Sequence, residues 1–333
     1  MTVDLSGQDR LLLNLLQDRF PLIPLPFTDL AERLGWRESA LLARIGELKE
    51  RGPLRQIGAI FDTRRLGYAS TLVALAVQPE RLDDVAGVVS SHPGVSHNYA
   101  RKHAFNLWFT LAVPPGADLQ REVGALAAQT GVLQALTLPV VRTFKVDARF
   151  DLESAVNGLR ERVERTGPAE TQDAVLTADD VPFVRALQDD LPLTQRPFRM
   201  LAQREAVGEE ALIEAARRFL ATGIMRRYGA TLRHRQAGYT ANAMVCWELS
   251  AGCIAAAGQA AAKCAAVSHC YERQPRPPAW PYQLFAMVHG RSEDELVRAI
   301  EELAVLTRPR RVVVLRTVRE YKKVRLRYFE EGQ

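Results

Sequence analysis

With 333 residues, 47% of them hydrophobic and 25% charged, the chain has apolar material for more than one packed core. Its mean hydropathy of −0.13 and the lack of any apolar run near the ~20 residues that cross a bilayer argue against a membrane-spanning helix. The net charge of +5 suits a polyanionic ligand or nucleic acid and singles out neither. The opening MTVDLSGQDR has no basic stretch before an apolar core, so a cytoplasmic location is expected. Cys246, Cys253, Cys264 and Cys270 show no CxxC spacing and are expected to be buried free thiols rather than a zinc site or redox pair.

The first elements are helical. Residues Asp9 to Gln17 are apolar at helical spacing, and Pro21, Pro24 and Pro26 make a rigid connection to the next helix. Thr28 is placed to cap a short helix through Leu34, and Arg37 to Arg51 forms a second amphipathic helix stopped by Gly52-Pro53. A β wing over Arg55 to Asp62 completes the outline of a winged helix-turn-helix. From Ala69 the pattern changes to strand (Ala69 to Gln78), helix (Arg81 to Ser91), two strands (His97 to Val113), helix (Asp118 to Gln129) and a final strand (Val132 to Val146). That order, βαββαβ, is a ferredoxin-like unit.

The second half repeats the first. At one constant offset Leu16-Gln17-Asp18 matches Leu187-Gln188-Asp189, Phe27 matches Phe198, Gly58-Ala59 matches Gly229-Ala230 and Gly67-Tyr68 matches Gly238-Tyr239. After one inserted residue Ser96-His97 meets Ser268-His269, Tyr99 meets Tyr271 and Arg101 meets Arg273. Helices are expected near Val181–Asp189, Phe198–Glu205 and Glu209–Ala221, with a wing over Arg226–Arg233 that carries His234 at its end. The α/β unit resumes with Ala241–Leu249, Ile254–Ala265, Ser268–Arg273, Tyr282–Gly290, Glu293–Leu306 and Arg311–Tyr328. The chain is therefore read as α+β in two tandem repeats: winged helix-turn-helix 1–62, ferredoxin-like 63–150, linker 151–180, winged helix-turn-helix 181–234, ferredoxin-like 235–333. The halves are expected to pair as pseudo-twofold partners through their sheets, with further homo-oligomerisation open.

The chemistry concentrates in HNYARKHAFNLWFTLAV, residues His97 to Val113. Two-residue spacing on an extended backbone aims His97, Tyr99, Arg101 and His103 at one surface, whereas Phe105 to Val113 reads as a buried strand with Trp108 and Phe109 in the core. His92 falls in a turn, and His289 ends a strand either as a structural cap or as a ligand contact. Only the first half keeps two histidines. The second inserts Pro275, Arg276, Pro277 and Pro278 and presents Trp280, expected as a loop wall of a pocket.

Each half, a winged helix-turn-helix followed by a ferredoxin-like unit, resembles the leucine-responsive (Lrp/AsnC-like) regulators, so DNA binding must be weighed. The recognition helices oppose it: the first mixes Arg37, Arg44, Lys49 and Arg51 with Glu38, Glu47 and Glu50, and the second opens on Glu209-Glu210, which repels phosphate. VSHNYARKHAFNLWFTLAV together with VSHCYERQPRPPAWPYQLFAMVHG resembles instead the siroheme decarboxylases over essentially the whole chain, with two homologous subunits fused in one polypeptide. The resemblance implies an enzyme that removes two acetate carboxyl groups of siroheme to give didecarboxysiroheme, on the way to d-type haem or haem b, with no cofactor beyond the iron tetrapyrrole. For that reaction the side chains suggest catalytic roles: His97 or His103 as proton donor, Arg101 as a two-pronged clamp on a carboxylate and Tyr99 as hydrogen-bond partner or relay, with either His97 or His103 as axial ligand of the siroheme iron. Substrate contacts are expected from His269, Tyr271, Arg273, Trp280 and Lys322, and because only the first half keeps two histidines His269 is expected to be the less critical one. The alternatives are a regulator sensing haem or an amino acid, and a non-catalytic tetrapyrrole carrier. Neither specific DNA nor a membrane is an expected partner.

Overall fold

The computed structural model describes residues 5–18, 20–132, 134–146, 176–232 and 240–330. Residues 151–175 of the expected linker 151–180, and His234, lie outside the described residues. In chain order the first repeat runs α1 (Gly7–Asp18), α2 (Pro26–Leu34), α3 (Glu38–Glu50), β1 (Leu54–Phe61), β2 (Ala69–Ala76), α4 (Leu82–Ser91), β3 (Val95–Arg101), β4 (Leu107–Val113), α5 (Leu119–Thr130), β5 (Gln134–Leu138) and β6 (Val140–Val146). The second runs α6 (Val181–Gln188), α7 (Pro197–Arg204), α8 (Glu209–Ala221), β7 (Met225–Leu232), β8 (Ala241–Glu248), α9 (Ile254–Lys263), β9 (Val267–Arg273), β10 (Leu284–Gly290), α10 (Glu293–Thr307) and β11 (Arg311–Lys323). The described residues sort into two compact units, one drawn from within Met1–Gly67, Phe150–Gly238 and Arg327–Gly332, the other from within Tyr68–Arg149 and Tyr239–Leu326.

The first unit holds the helical parts of both repeats, α1 to α3 with β1 and α6 to α8 with β7. Thr28 does not cap α2. That helix starts two residues earlier on Pro26, and the Thr28 hydroxyl donates to Glu38 Oε2 at 2.7 Å. Among the described residues, neither repeat makes a wing of its own. Each supplies one strand, whose backbone groups a single repeat would leave unpaired, and β1 and β7 satisfy each other as a two-stranded antiparallel sheet. Phe20, Phe198 and Tyr228 cluster beside this ribbon, and Arg227 reaches back to Gln17 O at 3.0 Å. Gly229, one of the matched repeat glycines, lies so close to α1 that an added Cβ would meet Leu16 O at 2.5 Å. Gly229→Ala is therefore expected to destabilise the chain by about 1–3 kcal/mol, read as a lower urea midpoint at unchanged slope.

The second unit is one sheet with helices, and its strand order is β5-β2-β4-β3-β11-β8-β10-β9-β6. The expected single strand over Val132 to Val146 is in fact two, because Pro139 cannot donate to a ladder. The piece before it, β5, pairs with β2 of its own repeat, and the piece after it, β6, crosses to β9 of the other. The long β11 makes the same exchange without a break, pairing first with β8 and then with β3. It ends at Lys323 rather than at Tyr328. Since one residue joins β5 at one edge to β6 at the other, the sheet must curl back on itself. Each repeat keeps an apolar core beneath its helices. A third core joins Leu72, Phe105, Trp108 and Leu138 of the first repeat to Cys246, Trp280, Phe285 and Leu315 of the second. The repeats are thus bound by strand exchange and shared burial.

Candidate active site

Strand alternation sets the two faces of β3. Asn98 points to the helix side, where its amide donates to Ala86 O and Ser90 Oγ of α4, both at 3.0 Å. His97, Tyr99 and Arg101 take the opposite side. Ser96 Oγ lies 2.9 Å from His97 Nδ1, and the His97 and Tyr99 rings sit 6.1 Å apart. The Arg101 guanidinium lies over the Tyr99 ring at 5.3 Å. The second repeat reproduces the array: Ser268 Oγ to His269 Nδ1 is 2.9 Å, the His269 and Tyr271 rings are 6.2 Å apart, and Arg273 lies 5.1 Å over Tyr271. Two copies of one constellation therefore survive folding almost unchanged.

The arginines are anchored as well as charged. Arg101, 5% exposed, donates from Nη1 to Leu315 O at 2.9 Å and Thr317 Oγ1 at 3.2 Å, closing the end of β3 onto β11. Burial brings its pKa down to about 10. Among the described residues no carboxylate is a hydrogen-bond partner of Arg101, and its Nε has no partner. Arg273 makes the matching bond to Leu138 O at 2.7 Å.

His103 stands in a different setting from His97. The Phe105 amide donates to its Nδ1 at 3.0 Å, and its ring stacks on Phe105 and meets Trp280 edge-on at 5.4 Å. Burial in this apolar surround holds its pKa below the usual imidazole value. A neutral ring whose Nδ1 accepts a hydrogen bond carries its proton on Nε2, which leaves no lone pair for a metal.

Trp280 is not a loop wall. It is 0% exposed, packed among His103, Phe105, Trp108, Tyr282 and Phe285, because the inserted prolines fold the second repeat's loop into the shared core. Trp108 and Phe109 are core, as expected. Lys322 faces away from the histidines. Its Nζ donates to Ser90 O at 2.7 Å and His92 O at 3.0 Å, covering carbonyls at the end of α4, as Lys145 covers Cys264 O at the end of α9. The irregular register between Glu320 and Lys322 sets this: it is Lys323, the next residue, that pairs with His97. Lys323 is thus the residue opposite His97, a placement that a regular alternation does not reveal. His92 closes a turn by accepting from the Gly94 amide at 3.0 Å. Cys246 and Cys270 are buried, with their thiols pushed up by burial, while Cys253 is exposed and Cys264 partly so. No described helix is long and apolar enough to cross a membrane.

These features define a duplicated α/β domain that carries paired Ser-His-x-Tyr-x-Arg arrays, with a helical segment before each copy. An AsnC-like ligand binding domain matches residues 65–145 and 236–322, and a siroheme decarboxylase NirDL-like HTH domain matches residues 9–55 and 183–226. The chain belongs to the siroheme decarboxylase NirDL family. A siroheme decarboxylase of Hydrogenobacter thermophilus is 40% identical over 321 residues, 96% of this chain and 94% of the relative. A crystal structure of siroheme decarboxylase NirDL in co-complex with an iron-uroporphyrin III analogue is similar at 35% identity, with a TM-score of 0.75 over 98% of this chain and 95% of the other. A siroheme decarboxylase alpha subunit of Desulfovibrio desulfuricans is 40% identical over 153 residues, 45% of this chain and 88% of the subunit.

Proposed function

We propose that this chain decarboxylates two acetate side chains of siroheme to give didecarboxysiroheme, for d-type haem or haem b, using the array around His97. The observation that carries the reading is the pairing of a half-buried imidazole with a tyrosine and a buried guanidinium that, among the described residues, has no carboxylate bonded to it. Siroheme brings eight carboxylates, so fixed positive charge without an internal counter-anion suits it.

Breaking the bond between the acetate methylene and its carboxyl group releases carbon dioxide and leaves the electron pair on the methylene carbon and the ring. A proton from His97 Nε2 then completes the methyl group. For that the ring acts as imidazolium: its Nδ1–H donates to Ser96 Oγ, 2.9 Å away, while Nε2–H faces the methylene carbon, and loss of the Nε2 proton returns the ring to its neutral form. Arg101, held by Leu315 O and Thr317 Oγ1, serves as a fixed charge beneath Tyr99 instead of a two-pronged clamp. Tyr99 hydrogen-bonds the departing carboxylate, and Lys323 meets another. His103 donates from Nε2 to a carboxylate and is unsuited to ligate iron. An axial bond from His97 would consume the nitrogen that protonates carbon, so the two roles exclude each other. Carbon loses a carboxyl group and gains a proton with no net oxidation, so no redox cofactor is required. On the second face His269, Tyr271 and Arg273 contact substrate in the same way, while Trp280 and Lys322 act from behind, one as packing and one as a helix cap.

The test is anaerobic incubation of the purified chain with siroheme, followed by mass spectrometry. Loss of two carboxyl groups supports the reading, unchanged co-eluting pigment points to a carrier, and no binding points to a regulator. The regulator reading also predicts DNA recognition, which the ion pairs oppose. Arg44 of α3 grips Asp9 through two contacts at 2.6 Å, Arg196 pairs with Glu209 at 2.6 Å, and Arg218 of α8 pairs with Asp180 at 2.5 Å. No sequence-selective duplex complex tighter than ~10⁻⁸ M is expected in a salt-resolved mobility-shift titration.

A further inference from the structure

The two arrays differ behind their histidines. In the first repeat Ser96 Oγ meets His97 Nδ1. In the second, Ser268 Oγ meets two imidazoles at once, His269 Nδ1 at 2.9 Å and His289 Nε2 at 2.7 Å. The residue equivalent to His289 is fixed by the ladders. His289 N donates to Ala266 O as Ala112 N donates to Gly94 O, and Met287 pairs with His269 as Thr110 pairs with His97. The first repeat therefore has a methyl group, on Ala112, where the second has an imidazole.

A hydroxyl has one proton. Ser268 can donate to only one of its two ring partners and must accept from the other, so the tautomers of His269 and His289 are locked to each other. Were His289 to accept, His269 would hold its proton on Nδ1 and offer a bare Nε2. Were His289 to donate from Nε2, Ser268 would donate to His269 Nδ1, and the His269 proton would stand on Nε2. Ser268 is 7% exposed, so water does not easily replace either partner. Burial, and then the charges of His269 and Lys323, bring His289 down to about 4, which keeps its ring neutral and leaves the relay intact at neutral pH.

We infer that His289, acting through Ser268, is a positioning residue that holds His269 with its proton on Nε2, ready to donate to a carboxylate of the substrate. The inference rests on the reading that these arrays contact siroheme, but the tautomer itself is measurable without substrate. It also makes the two faces unequal: the first repeat has Ala112 at the position where the second places the imidazole of the relay.

The experiment is long-range proton–nitrogen correlation on full-length, substrate-free protein labelled at the histidine ring nitrogens. His269 is assigned by the signals lost in His269→Gln. The wild-type His269 ring is expected as a single tautomer protonated at Nε2. In His289→Ala and Ser268→Ala it should become a mixture, with the His97 signals unmoved, and His289→Gln, which keeps a donor, should restore the single form. Circular dichroism confirms folding, and Ser268→Ala carries the test if His289→Ala does not fold. A wild-type His269 protonated at Nδ1, or one unmoved by both alanine variants, would overturn the inference even if siroheme is turned over. Pure Nε2 protonation with no siroheme turnover would leave the relay standing and remove the substrate reading.

Discussion

His97→Ala is expected to slow single-turnover loss of carbon dioxide from siroheme by about 10²–10⁴-fold, the usual cost of deleting a general acid. Pigment binding, followed by absorbance, should survive in part, because Tyr99, Arg101 and Lys323 remain. His103→Ala should act mainly on affinity, since a neutral ring buried against Trp280 donates a hydrogen bond but does not carry a labile second proton. His269→Ala should be the milder lesion in rate. A dead His269→Ala beside a near-normal His97→Ala would place the chemistry on the second face.

Trp280→Ala should destabilise the chain by about 3–5 kcal/mol, the range for emptying a large aromatic site. The side chain is fully buried and bridges the repeats, touching His103, Phe105 and Trp108 from one and Tyr282 and Phe285 from the other. Its Nε1 has no hydrogen-bond partner among the described residues, so Trp280→Phe forfeits volume but no bond and should cost much less. Chemical denaturation of the two variants measures the difference. Equal, small losses would mean that the inserted loop is not part of the core.

The motif and the duplication were plain in the sequence because both are local: a two-residue spacing and a constant offset survive in any fold that keeps β3 and β9 extended. What was not legible is how the repeats share strands. Residues Val132 to Val146 look like one strand, and only the partner repeat's open edge explains why β6 leaves β2's side of the sheet. The same exchange turns two would-be wings into one ribbon. Lys322 and Lys323 were indistinguishable by composition, and an irregularity in the β11–β3 register assigned one to the helix and the other to the histidine. Trp280 was misjudged for a related reason: proline-rich insertions usually stay outside, but this one faces an apolar gap that the other repeat leaves open. His289 carried no sequence signal as a relay member, since its partner Ser268 lies on a neighbouring strand.

The central claim is that carbon dioxide leaves and an exchangeable imidazole proton takes its place. Anaerobic turnover of siroheme in deuterium oxide tests it directly. The expected product has lost two carboxyl groups and carries one deuterium in each new methyl group. A decarboxylated product with no deuterium in those methyl groups would contradict protonation by an exchangeable acid.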